Sequence, residues 1–124
     1  MDKRLRPRER LRGRSAFAHV FARRCRASDG LLVVHVTENG LDFPRLGISV
    51  SKRIGNAAVR NYAKRRLREA FRCHKSALAA GVDHVCVVRR DLHDEDVVGS
   101  LQALSAKAAR QLLRQARDTQ QKGE

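Results

Sequence analysis

Basic residues recur every four positions within the segment 52–72. Four of them follow one another at i, i+4 spacing: Arg60, Lys64, Arg68 and Arg72. Side chains at this spacing are neighbours on a helix, and like charges there repel each other by roughly 0.2–0.5 kcal/mol per pair. Solvated helix faces ordinarily mix both signs. The pattern therefore predicts a helix face that binds a polyanion, because a polyanion removes the repulsion.

Two phenylalanines, Phe17 and Phe21, stand four residues apart between two arginine-rich segments. The chain has four Phe, one Tyr and no Trp. Aromatic faces beside cations are what single-stranded RNA binders use to stack bases. Two interpretations stay open at this point: the rings pack in the core, or they line a nucleic-acid cleft.

The acidic, cysteine and histidine residues predict structure rather than catalysis. Acidic residues that precede an apolar helical pattern are typical of helix capping, not of a two-metal nuclease: Asp91, Asp94, Glu95 and Asp96. A second group lacks the paired short spacings of structural zinc sites: Cys73, His74, His84 and Cys86. We therefore predict no catalytic residue and no metal site in the protein.

Length and charge favour a single nucleic-acid-binding domain over 1–124. The 124 residues carry 27 Lys and Arg against 13 Asp and Glu, a formal net charge of +14. No apolar run reaches the roughly 18 residues of a membrane span, and the charged N-terminus lacks a secretory signal. Three cysteines without a CxxC pair indicate free thiols in a reducing compartment. We expect a cytoplasmic protein without a membrane partner.

Hydrophobic periodicity predicts an α+β fold, a small mixed sheet with helices, in the order α-β-β-α-β-α and with a possible extra short strand. The predicted elements are a helix near 15–24 capped by Ser15, strands 31–36 and 46–51 joined as a hairpin through Asn39-Gly40, a helix 56–74 capped by Asn56, a strand 82–88 and a helix ending near Arg117. Residues 1–13 are expected to be a mobile basic arm, and 118–124 a disordered tail.

Two helices have predicted core faces. On the helix over 56–74 the apolar face is Val59, Ala63, Leu67, Ala70 and Phe71. On the last helix it is Val97, Leu101, Leu104, Ala108 and Leu112.

The stretch 45–72, RLGISVSKRIGNAAVRNYAKRRLREAFR, resembles the signature of the bacterial ribonuclease P protein subunit. Upstream, Arg10-Leu11 followed by Phe17, Val20 and Phe21 resembles the first-helix pattern of that family. The similarity extends over about 8–115. It implies a left-handed β-α-β crossover and an RNA-binding cleft.

The resemblance also implies a function. Members of that family pair with a catalytic RNA, and the holoenzyme, an endoribonuclease, removes the 5′ leader of precursor tRNA to give the mature 5′ end. The catalytic centre and its Mg²⁺ belong to the RNA. The implied partners are this catalytic RNA and precursor tRNA, with no obligate protein partner.

The same resemblance assigns residues to two surfaces. Phe17, Phe21 and His35 would line the cleft for the 5′ leader. The RNA-gripping motif would comprise Lys52, Arg53, Arg60, Asn61, Tyr62, Lys64, Arg65 and Arg68. Tyr62 departs from the family pattern, which has an arginine there; its flat face could stack on a base, or its hydroxyl could bond a phosphate.

Composition alone admits another class, a basic ribosomal or RNA-chaperone-like protein with no part in an enzyme. The 45–72 motif and the Phe17/Phe21 pattern favour the ribonuclease P interpretation. A protein-only nuclease would need clustered carboxylates in a cleft, and the sequence predicts none.

Overall fold

A mixed four-stranded sheet forms the centre of a computed structural model that describes residues 6–122, with side chains as far as residue 118. The main elements are α1 (Arg14–Ala22), β1 (Cys25–Ser28), β2 (Leu32–Glu38), β3 (Arg45–Ser49), α2 (Ala57–Cys73), β4 (Val82–Val88) and α3 (Val97–Lys122). The predicted α+β class is confirmed, and the extra strand is β1. Its four residues, with only Cys25 fully buried, are too few for an alternating pattern to be recognised.

The strand order is β1-β2-β4-β3, with β3 parallel to β4 and the other neighbours antiparallel. Because β4 lies between β2 and β3, the predicted hairpin of 31–36 with 46–51 is wrong. The turn at Asn39 instead carries the chain past the end of β4. The Asn39 N–H donates to the Gly81 carbonyl (2.9 Å), and the Asn39 side-chain amide donates to Asp83 Oδ1 (2.9 Å).

Helices cover both faces of the sheet. α2 and α3 pack on one face around Leu67, Phe71 and Leu101, whereas α1 places Val20 against Val85 on the other. α2 also connects the parallel strands β3 and β4, so a β-α-β crossover is present; the left hand that the resemblance implies stays a prediction. None of the helices within the described residues is long and apolar enough to cross a membrane.

The predicted caps of α2 and α3 are confirmed. Asn56 Oδ1 accepts a hydrogen bond from the Val59 N–H (3.0 Å), and Asp96 Oδ1 accepts one from the Gly99 N–H (2.9 Å). The predicted core faces are also buried, except that Val59 is only half-buried.

Two helix ends differ from the prediction. α1 begins at Arg14, so Ser15 is not its cap: Gly13 precedes the helix with φ of 93°, a conformation that favours glycine, and its carbonyl accepts from the Phe17 N–H. α3 continues to Lys122 instead of ending near Arg117, because nothing in 118–122 breaks a helix. The rest of the predicted tail, 123–124, lies outside the described residues.

Residues 6–13, which belong to the predicted basic arm, pack against the folded domain. The Leu11 side chain is buried, 6% exposed, and its N–H donates to the Leu46 carbonyl on β3 (2.9 Å). Glu9 is buried as well, and Lys75 Nζ lies 2.6 Å from its Oε2. One apolar and one acidic side chain thus anchor an otherwise basic segment. The part of the predicted arm over 1–5 lies outside the described residues.

Both edges of the sheet are covered by other parts of the chain. At the β1 edge, the Gln111 side chain of α3 accepts from the Arg26 N–H (3.0 Å) and donates to the Arg26 carbonyl (2.7 Å). At the β3 edge, Arg10 forms a parallel bridge with Leu46. These bonds occupy backbone groups that an edge strand otherwise leaves unpaired.

We expect Glu9→Gln to lower the free energy of unfolding by about 1–3 kcal/mol at neutral pH, because Lys75 loses a charged partner. Burial alone would raise the pKa of Glu9, but the hydrogen bond from Lys75, with other favourable contacts, brings it below its ordinary value of 4.5. The stabilisation is therefore present above pH 4.5 and lost as the pH falls through the lower folded pKa. Urea unfolding at a series of pH values measures both effects.

The matched control is Glu69→Gln on the exposed side of α2, which should change stability by less than about 0.5 kcal/mol. A constant difference between Glu9→Gln and the unmodified chain from pH 7 to pH 3 would contradict the role assigned to the Glu9–Lys75 pair.

Candidate nucleic-acid interface

Aromatic rings meet where α1 crosses the sheet. The ring centroids of Phe17 and Phe21 are 6.4 Å apart, and Phe21 lies edge-on to the His35 imidazole at 4.7 Å. His35 is on β2, and alternation along the strand points it away from the core residues Val34 and Val36. The structure therefore brings together all three residues predicted for the leader cleft.

Phe17 and Phe21 differ in how much ring they leave free. Phe17 is half-buried and packs with Leu11 and Val20 in the small core beneath α1. Phe21 is 39% exposed. Phe17 thus belongs to the packing, as the core interpretation predicts, and Phe21 offers a free aromatic surface. That the two rings line a nucleic-acid cleft stays a prediction.

Basic residues and a neutral imidazole surround the free ring. Arg24 and Arg26 line the same hollow as Phe21 and His35. Burial lowers the pKa of His35 below its ordinary value, and the positive charge of Arg26 lowers it further. At neutral pH the imidazole is uncharged and has one donor and one acceptor nitrogen. The hollow can therefore accept an aromatic base and place cations near its phosphate.

The predicted cationic face of α2 is present. Arg60 and Lys64 are half-buried, and Asn61, Arg65 and Arg68 are exposed. Their positions follow directly from the helix period, since the opposite side of α2 is buried in the core.

Tyr62 lies on another side of α2, facing the loop before α3. Its hydroxyl accepts a hydrogen bond from Arg66 Nη1 (3.0 Å), and Arg66 Nη2 donates to the Glu95 carbonyl (3.1 Å). The Tyr62 ring lies 5.8 Å from the His93 ring and 5.6 Å from the Arg65 guanidinium. Tyr62, which stands where the family pattern has arginine, thus connects α2 to the loop. It is not part of the face formed by Arg60, Lys64 and Arg68.

Lys52 and Arg53 lie at the carboxyl end of β3, in a short helical turn. Arg53 borders a groove together with Ser49, Ser51 and Arg89. The structure thus places Arg53 beside the carboxyl end of β3, in the short turn that precedes α2.

Sequence reasoning missed Arg10 and Arg12 as site residues. They line a pocket with Lys64 and Arg68, beside Phe17. Their alternation with Leu11 was visible in the sequence, but the basic run was assigned to a mobile arm. The burial of Leu11 was the signal that the segment is ordered.

The other titratable groups serve the fold. Asp91 Oδ1 accepts from the His93 N–H (3.0 Å) in the turn before α3. His84 Nε2 lies 2.8 Å from Ser105 Oγ, and burial lowers the pKa of His84 to about 4. Burial raises the pKa of the Cys86 thiol to about 12. Over the described residues, no three His, Cys, Asp or Glu side chains are grouped as a metal ion would require.

A sheet with an aromatic, basic cleft on one face and a cationic helix on the other is the architecture of a nucleic-acid-binding α+β protein. Comparison with known proteins gives the family. The family model described as Ribonuclease P matches residues 5–117. The chain therefore belongs to the ribonuclease P protein family, whose members are components of an endoribonuclease complex of tRNA processing, and the resemblance is confirmed.

Individual relatives agree with the family match. A ribonuclease P protein component from Thermotoga maritima is 41% identical over 88 residues, which cover 71% of this chain and 75% of that protein. The component from Syntrophus aciditrophicus is 41% identical over 81 residues, covering 65% of this chain and 68% of that one. A solved RNase P protein from Staphylococcus aureus superimposes with a TM-score of 0.70 at 32% identity, covering 82% and 94% of the two chains. The T. maritima structure gives 0.66 at 34%, covering 86% and 96%.

We expect Gly47→Ala to disturb the cleft through Phe17. A Cβ atom at Gly47 would lie 2.6 Å from Phe17 Cε1 and 3.3 Å from Leu11 Cβ, so the ring must move. Overpacking of this kind lowers the free energy of unfolding by about 1–3 kcal/mol. Thermal unfolding measures this loss, and the NMR shifts of the Phe17 ring report its movement.

Gly30→Ala is the matched control, because a Cβ atom there meets nothing within 4 Å. It should leave stability unchanged or raise it slightly. Equal behaviour of the two variants would contradict the close contact between Phe17 and β3.

Proposed function

We propose that this chain is the protein subunit of ribonuclease P, binding the catalytic RNA and the 5′ leader of precursor tRNA and so assisting removal of the leader. The observation that carries the proposal is that the aromatic cleft and the cationic face belong to two helices, α1 and α2, which cover opposite faces of one sheet. Two RNA segments can then contact the protein at once, and a rigid sheet sets the distance between them.

The cleft suits a single-stranded leader. Phe21 needs an unstacked base to lie against its exposed ring, and a duplex does not offer one. The uncharged His35 can hydrogen-bond a base edge, while Arg24 and Arg26 pair with the backbone. Holding the leader in this way positions the adjoining scissile phosphate without any protein group at the reacting atoms.

The α2 face suits a structured RNA. Its cations repel one another in the free protein, and RNA phosphates neutralise them. Arg60, Lys64, Arg65 and Arg68 supply the attraction, and Asn61 adds a neutral hydrogen-bonding group between them. Lys52 and Arg53 extend the basic surface towards the carboxyl end of β3.

Catalysis in this proposal belongs to the RNA, which holds the Mg²⁺ that supplies the metal chemistry. The carboxylates of this chain that could suggest a nuclease are used as caps and turn acceptors, as Asp96 and Asp91 illustrate. The contribution of the protein is electrostatic: its net charge of +14 offsets the repulsion between catalytic RNA and substrate, which otherwise requires more divalent ions.

Reconstitution with a bacterial ribonuclease P RNA tests the proposal. The RNA alone at low Mg²⁺ should cleave precursor tRNA poorly, and adding the chain should restore 5′ cleavage, while high Mg²⁺ should make the RNA independent of the protein. A general RNA chaperone would need no specific leader and would give no such restoration. Cleavage of precursor tRNA by the protein alone would contradict the assignment of catalysis to the RNA.

Substitutions should separate the two surfaces. Phe21→Ala should weaken binding of precursor relative to mature tRNA by about 1–3 kcal/mol, the value of one base–aromatic stack. Arg65→Gln should weaken assembly with the catalytic RNA and reduce the slope of log affinity against log salt by about 1. Filter binding of each RNA over a salt series measures both effects.

Arg114→Gln is the control for the charge change, since Arg114 is exposed on α3 and outside both surfaces. Circular dichroism of each variant establishes that it is folded. If Phe21→Ala and Arg65→Gln each weakened binding of both RNAs equally, the assignment of separate surfaces would fail.

A further inference from the structure

A cationic pocket lies where the N-terminal segment passes α2 at the edge of β3. The Leu11–Leu46 backbone hydrogen bond holds the segment against the strand, and Arg10 and Arg12 flank Leu11 on either side. Lys64 and Arg68 approach the same pocket from α2. Two elements far apart in sequence therefore place four positive charges around one concavity.

The pocket lacks internal charge compensation. Among the residues that the structure describes, its lining contains no acidic side chain; the floor is apolar and includes Leu11, Phe17 and Gly47. The nearby carboxylate of Glu9 is already paired with Lys75. Arg10 Nε is buried and has no hydrogen-bond partner, so a donor remains unused where no water-exposed surface can satisfy it.

We propose that this pocket binds one RNA phosphate, held jointly by Arg10, Arg12, Lys64 and Arg68. The inference rests on the proposed function and adds to it a specific contact by the N-terminal arginines. A phosphate fits because its oxygens can accept several charge-assisted hydrogen bonds at once, and guanidinium groups match that geometry. Binding also supplies Arg10 Nε with an acceptor.

The position of the pocket gives the phosphate a structural role. Phe17 borders both this pocket and the aromatic cleft, whereas Lys64 and Arg68 belong to the α2 face. The pocket is thus the point where the two proposed RNA surfaces meet at the β3 edge. The phosphate comes either from the leader as it leaves the cleft or from the catalytic RNA, and the two sources predict different binding data.

The first measurement uses inorganic phosphate on the full-length protein. At constant ionic strength, replacing chloride by phosphate should raise the melting temperature of the unmodified chain more than that of Arg10→Gln/Arg12→Gln. Arg114→Gln, with one charge removed from α3, should respond like the unmodified chain. Glutamine retains much of each side-chain stem, and the segment is anchored by Leu11 and Glu9, so the double variant is expected to fold.

The second measurement uses the reconstituted holoenzyme. The double variant should bind RNA at least about tenfold more weakly and show a salt slope smaller by about 1. If the double variant loses affinity only for precursors that carry a leader, the phosphate belongs to the leader. If it loses affinity for the catalytic RNA, the phosphate belongs to the catalytic RNA. If the double variant matches Arg114→Gln with both RNAs, the pocket takes an adventitious ion only and the proposal is overturned.

The proposed function fails separately, by absence of cleavage with the unmodified chain. In that case a phosphate-dependent rise in melting temperature that the double variant lacks still supports the anion pocket itself.

Discussion

β4 is buried on both faces, and this burial determines where the other elements can lie. A strand with six of seven residues buried must be flanked by strands and covered from both sides. β2 and β3 therefore sit on either side of it, α2 and α3 cover one face, and α1 covers the other. The aromatic cleft and the cationic helix face follow from this arrangement. The cleft lies where α1 meets β2, and the cationic face is the side of α2 that points away from the core.

The packing must also hold unbalanced charge. Arg60, Lys64 and Arg68 repel one another on α2, and Arg10 and Arg12 add to the repulsion from the N-terminal segment. Leu67 and Phe71, buried on the opposite side of α2, supply the hydrophobic free energy that keeps the helix in place. Among the residues that the structure describes, a few ion pairs connect distant elements, Glu9 with Lys75 and Arg45 with Asp83 among them. The fold thus maintains a surface on which positive charges repel one another.

Local patterns in the sequence were sufficient to predict the helices and strands but not to predict which strands pair. The cap at Asn56 and the cationic arc on α2 depend on neighbouring residues, so periodicity could predict them. The strand order depends on which strand is buried most deeply, and the turn at Asn39 suggested a hairpin that β4 prevents. Arg10 and Arg12 were missed because a single leucine, Leu11, decides whether the basic run is ordered, and one residue gives no periodic signal. Tyr62 lies near His93, in the loop before α3. Helix periodicity does not describe this loop, so the position of Tyr62 could not be predicted.

The covering of the sheet edges has a consequence for the order in which the nascent chain can mature. The β3 edge is closed by Arg10 and Leu11, which are made before β3, but the β1 edge is closed by Gln111, which is made 85 residues after its partner Arg26. Until α3 emerges, β1 therefore exposes unpaired backbone groups that could join a strand of another chain. Translation that stops before α3 is complete leaves a basic fragment whose exposed β1 edge favours aggregation. Completion of α3 covers this edge.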